Sequence, residues 1–161
     1  VKLDTLELYN CCVIKDIVLP SNITVLYLYK CVLLNIKSIQ HLKKLHTLTL
    51  ELKYDSELRY IQELNILEYI DTLQALCSLT LIGLDVSDIS ILHKLPKLSI
   101  LKLNKCIQIS DITFIKTMIT INRLDIIDCD ILFKLYKNKE LEFLYELENI
   151  NKLTIIHNLL S

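Results

Sequence analysis

The chain has 161 residues, 35 of them Leu and 24 Ile, with one Gly, two Pro and a formal net charge of −1. That length suits one ordinary core, and that composition excludes collagen-like, linker-like and disordered chains. A lone Gly83 cannot build a phosphate-cradling loop, the longest uncharged runs, such as Ile17–Tyr29, are too short to span a bilayer, and no block of five like charges offers a nucleic-acid arm.

Along the chain an aliphatic triplet recurs at offsets 0, 3 and 5. It reads Leu3-Leu6-Leu8, Ile23-Leu26-Leu28, Leu45-Leu48-Leu50, Leu76-Leu79-Leu81, Leu98-Leu101-Leu103, Ile121-Leu124-Ile126 and Ile150-Leu153-Ile155. Each triplet predicts a short strand over offsets 2 to 6, with offsets 3 and 5 facing inward. The runs that follow carry an aliphatic every third residue, as in Ile36-x-x-Ile39-x-x-Leu42 and Ile109-x-x-Ile112-x-x-Ile115. That period predicts tight 3-10 turns opposite the strands. Two steps are longer. The segments Ser56–Leu67, with Asp55 or Ser56 as cap, and Leu132–Leu147 each carry an apolar stripe and predict helices on the turn side. A rival parse makes each long step an ordinary repeat plus a degenerate one.

Aliphatics are so frequent here that roughly ten such triplets would arise by chance. Cysteine is the discriminating signal. Offset 8 of the seven units holds Cys11, Cys31, Lys53, Leu84, Cys106, Cys129 and Asn158, so four of the six cysteines fall in one column. The pattern L-x-x-L-x-L-x-x-[C/N] resembles the leucine-rich repeat signature over the whole chain. The continuation V-x-D-I-x-x-L-x-x-L-x-x-L at Val86–Leu98 is similar to the 22-residue subclass of bacterial internalins and a phosphatase-regulatory subunit. This resemblance implies an α/β fold: a curved right-handed coil with a parallel sheet on its concave face and 3-10 turns and short helices on the convex one. It implies a single solenoid over 1–161, of about seven repeats starting near 3, 23, 45, 76, 98, 121 and 150. One coil cannot cover its own apolar face, so neighbours must stack.

The column residues Cys11, Cys31, Cys106, Cys129 and Asn158 are expected to be structural, the cysteines as reduced, buried thiols. No C-x-x-C spacing suggests zinc, and the four His (His41, His46, His93, His157) share no column with a Cys or Ser. Asp125 and Asp128 are expected at a solvated strand edge, and the Asn22-Ile-Thr24 sequon is expected to be accidental. The sequence therefore predicts no enzyme, no cofactor and no metal.

Function is expected on the outward strand positions. There Tyr9, Tyr27 and Tyr29 converge in the first two repeats, and Lys102, Arg123 and Asp125 form a mixed-charge patch further on. Tyr supplies contact area with a polar handle and is enriched at binding hot spots. Lys102 and Asp125 share a column and are expected to pair across strands. The resemblance implies a protein-protein interaction module with a protein partner on the concave face, not nucleic acid or membrane. A substrate receptor or regulatory subunit of a ubiquitin-ligase or phosphatase complex is the alternative; a cell-surface adhesin would want a leader and disulfide-bonded caps. A start at Val1 with no leader, and repeats without caps, predict a cytoplasmic fragment of a longer protein with ends able to self-associate.

Overall fold

The computed structural model describes residues 3–11, 18–31, 37–52 and 67–158. Seven strands lie side by side in chain order: β1 (Thr5–Tyr9), β2 (Val25–Cys31), β3 (Thr47–Leu52), β4 (Ser78–Ile82), β5 (Ile100–Asn104), β6 (Arg123–Ile127) and β7 (Lys152–Ile156). All neighbouring pairs are parallel, and the register pairs the same offset in every unit, except that it shifts by one at the end of β2, where Cys31 faces Leu52. Leu6, Leu26, Leu48, Leu79, Leu101, Leu124 and Leu153 form one inward row. From β2 to β6 this row is fully buried, whereas Leu6 and Leu8 on β1 and Leu153 and Ile155 on β7 are only half-buried. Coverage thus comes from the neighbouring coils, as stacked repeats require.

Among the described residues, five 3-10 segments run opposite the sheet: Lys37–His41, Leu67–Thr72, Ser90–Lys94, Thr113–Thr117 and Glu142–Glu146. Each buries one aliphatic against the strand rows, namely Ile39, Ile70, Leu92, Ile115 and Leu144. Two of them start on an aspartate turn. Asp88 accepts from the Ser90 N–H at 2.8 Å and Asp111 from the Thr113 N–H at 2.7 Å. These bonds to backbone N–H and neighbouring hydroxyl hold both carboxyls below the usual range.

The second long step differs from the expectation of one helix over 132–147. An α-helix, α1, covers Asp130–Lys137, and the rest is the Glu142–Glu146 3-10 turn found in the other repeats. The break is backbone geometry: Lys139 sits at φ 66°, which a right-handed helix cannot contain. The expected helix over 56–67 falls almost wholly outside the described residues.

A left-handed residue closes most strands. Asn10, Lys30, Lys105 and Asp128 have φ between 51° and 54°, and Gly83 has φ 66°. The amide N–H of Asn10, Gly83, Lys105 and Asp128 continues the ladder, donating to the carbonyls of Tyr29, Asn104, Ile127 and Ile156 at 2.8–2.9 Å. This turn points the next residue, offset 8, into the coil. Cys31, Cys106 and Cys129 are fully buried there. Their thiols donate to the carbonyls of Leu8, Leu81 and Leu103 on the preceding strand at 3.5–3.6 Å. A small side chain with a weak donor fits this position, which explains why cysteine recurs.

Candidate functional site

Outward positions on the seven strands form one face, and its two ends differ. On β1 and β2 the expected tyrosines come together as a stack. Tyr9 and Tyr29, in register across strands, have ring centroids 4.8 Å apart at 15°. Tyr27 and Tyr29, two residues apart on β2, lie 5.9 Å apart, also at 15°. The period of two places both β2 rings on one side, and the parallel pairing puts Tyr9 beside Tyr29. Tyr9 is 58% exposed, while Tyr27 and Tyr29 are half-buried by their neighbours.

Two carboxylates border the stack at opposite corners. Glu7 is in register with Tyr27, and Glu51 on β3 is in register with Tyr29. The Tyr9 hydroxyl donates to Glu7 Oε2 at 2.6 Å. That bond to an anion, with lesser contributions from burial and neighbouring groups, pushes the Tyr9 phenol up to about 12. Burial, then Tyr27, Glu7 and Glu51, push Tyr29 up as well. Both phenols therefore stay neutral at physiological pH. Lys30 at the rim reaches Glu51 at 4.0 Å, a long and exposed contact worth little. Glu51 was not singled out from the sequence, although its place at offset 6 of the third unit puts it beside Tyr29.

The second group, on β5 and β6, is organised differently from the expectation. Lys102 and Asp125 are in register, but the carboxylate pairs with Arg123 on its own strand. Arg123 donates from Nε at 2.9 Å and approaches through Nη2 at 2.8 Å, both to Asp125 Oδ2. Asp125 is 3% exposed rather than solvated. Burial alone would raise its carboxyl; Arg123, Thr154 and Lys102 outweigh that and hold it below the usual range. The two predicted groups are separated by β3 and β4, whose outward positions are Thr47, Thr49, Glu51, Ser78, Thr80 and Ile82.

Of the column residues, Cys11 is half-buried, with its thiol 3.8 Å from the Tyr9 carbonyl. Asn158 is exposed, and its backbone N–H and Nδ2 donate to Asp128 at 2.7 and 3.1 Å. Cys11, Cys31, Cys77, Cys106 and Cys129 are free thiols. The neighbouring Cys129 thiol, followed by burial, pushes Cys106 up, and the Cys106 thiol holds Cys129 below the usual thiol range. Among the described residues no helix is long and apolar enough to cross a membrane, and no cluster of three His, Cys, Asp or Glu could hold a metal.

No family model matches the chain and no curated relative matches it. Solved structures do. Internalin C2 from Listeria monocytogenes is similar over 94% of this chain and 80% of its own, at 20% identity and a TM-score of 0.51. An internalin (inlF) from the same bacterium overlaps 87% of this chain at 16% identity and a TM-score of 0.43. This chain spans about half, 51%, of that second protein. Seven parallel strands in chain order, closed by 3-10 turns, have the leucine-rich repeat solenoid as their fold.

Proposed function

We propose that this chain is a protein-interaction module that binds a protein partner on the outward face of its sheet, with Tyr9, Tyr27 and Tyr29 as the anchor. The observation that carries this reading is the stack itself: three nearly parallel phenol rings held on a sheet, with Tyr9 58% exposed. A sheet-borne cluster loses little backbone freedom on binding, and each ring offers area plus a hydroxyl. Lys102 and Arg123 are the secondary contact in this reading, with the buried Asp125 holding Arg123 in place. The whole chain acts as one solenoid, and the half-buried aliphatics of β1 and β7 mark edges where a further coil or a second copy would stack. Buried thiols used as donors suit a reducing, cytoplasmic setting.

A photocrosslinking residue at Tyr9, compared with one at Ile119 in the turn before β6, tests the reading. Ile119 is 84% exposed, so both probes are accessible. Partner adducts are expected from position 9 and not from 119; the reverse pattern places binding on the other surface.

A further inference from the structure

The outward face is electrically polarised along the solenoid. At the outward positions of β1, β2 and β3 its charged residues are Glu7 and Glu51, both acidic, with Lys30 near the end of β2 in a long, exposed contact with Glu51 at 4.0 Å. On β4 to β7 they are Lys102, Arg123 and Lys152 against Asp125, whose charge is taken up by Arg123. The acidic end is also the aromatic end, so Glu7 and Glu51 flank the ring stack diagonally.

That combination selects a chemistry. Neutral phenol faces attract a cation, and carboxylates at two corners add directional acceptors. Glu7 accepts from Tyr9 through Oε2, and a carboxylate has lone pairs for about four donors, so it can take more. Guanidinium suits the site better than ammonium: it is planar, weakly hydrated and carries five donors in a fork. A phosphate or a nucleic-acid backbone would meet the two carboxylates and be repelled.

The dimensions of the face suit an extended occupant. Six strand spacings of about 4.8 Å and five residues of about 3.3 Å give a face of about 29 Å by about 16 Å. That footprint of about 460 Å² of flat sheet is narrow along the strands. An extended segment or loop fits this width.

Resting on the protein-binding reading of this face, we propose that its occupant is a protein segment bearing an arginine, whose guanidinium lies against the Tyr9–Tyr29–Tyr27 stack between Glu7 and Glu51. The polarity sets a second requirement. Lys102 is three strands from Tyr29, about 14 Å, which an extended segment spans in about four residues. An acidic residue about four positions from the arginine therefore reaches the basic end.

Selection of a random twelve-residue peptide library on the immobilised chain tests this. The expected result is enrichment of Arg with Asp or Glu about four positions away. The best peptide should lose at least tenfold affinity when its Arg becomes citrulline, and at least tenfold against Glu7→Gln/Glu51→Gln. Tyr27→Ala/Tyr29→Ala should also abolish binding; if that variant misfolds by circular dichroism, the shape-conserving glutamine pair decides. Peptides that depend on the tyrosines but neither enrich Arg nor respond to the glutamine pair would overturn the arginine proposal and leave the binding face standing. Peptides that bind every variant equally would overturn both. Failure to select any sequence would overturn the arginine proposal.

Discussion

Arg123 and Asp125 lie two residues apart on β6, and two guanidinium nitrogens meet one carboxylate oxygen, Oδ2, at 2.9 and 2.8 Å. Oδ1 of the same carboxylate is buried without a hydrogen-bond partner. The pair is lopsided, since the Arg123 side chain is 34% exposed and that of Asp125 is 4%. Removing the cation strands a buried anion. Arg123→Ala should cost about 2–4 kcal/mol, discounted for the partial exposure of the arginine. Replacing both with apolar residues should cost about 1 kcal/mol or less. Urea midpoints measure both. The folded-state carboxyl of Asp125 lies below its unfolded value, so its contribution is present above the unfolded value near pH 4 and fades as pH falls through the folded one. The stability gap between wild type and Arg123→Ala should therefore narrow as pH falls below the unfolded value and through the lower folded one.

Position offset 7 offers an internal control on backbone strain. Lys105 holds φ 54° with a side chain, whereas Gly83 holds φ 66° without one. Lys105→Gly should stabilise by about 0.5–1 kcal/mol, and Gly83→Ala should destabilise by about 1 kcal/mol. A Cβ at Gly83 would meet nothing within 4 Å, so that loss would be conformational rather than steric. Matched denaturation curves check the opposite signs.

The buried thiols should resist modification. Cys31, Cys106 and Cys129 are 0% exposed, which keeps reagent from all three; burial also raises Cys31, and the neighbouring Cys129 thiol, then burial, raises Cys106. Thiolate, not thiol, is the reactive form. In the native protein these three should alkylate at least tenfold more slowly than half-buried Cys11, and all should react at similar rates in urea. Site-resolved mass spectrometry of a time course reads this; equal native rates contradict the buried column.

Tyr9 should titrate late. Its phenol is pushed up to about 12, first by the hydrogen bond to Glu7. Because the folded value lies above the unfolded one near 10, the stabilisation is complete below pH 10 and is lost as pH rises through 12. Glu7→Gln should bring the ultraviolet phenolate transition of Tyr9 back toward 10. Subtracting the curve of a Tyr9→Phe variant isolates the signal.

The strand rows were readable from sequence because a stacked repeat translates chain position directly into sheet position. The triplet Leu98-Leu101-Leu103 landed in register with Leu76-Leu79-Leu81. The meeting of Tyr9 with Tyr29 followed from the same rule. Burial of Asp125 did not, since alternation assigns a side but not a depth, and depth there depends on Arg123 folding over its neighbour. The left-handed column was partly visible: Asn10, Gly83 and Asp128, all residue types that tolerate positive φ, share offset 7. Lys30 and Lys105 in that column hid it. The end of α1 depended on Lys139, a residue with no propensity to mark the break.

Strands that pair only with their sequence neighbours respond to force in a particular way. A pull on the chain ends has no long-range crossover to break, so coils should peel from either edge, where β1 and β7 are the least covered. Each coil would release roughly 20–30 residues, a length increment of about 7–10 nm. The acidic-aromatic end and the basic end sit on different coils, so under tension one can unravel while the other keeps its shape.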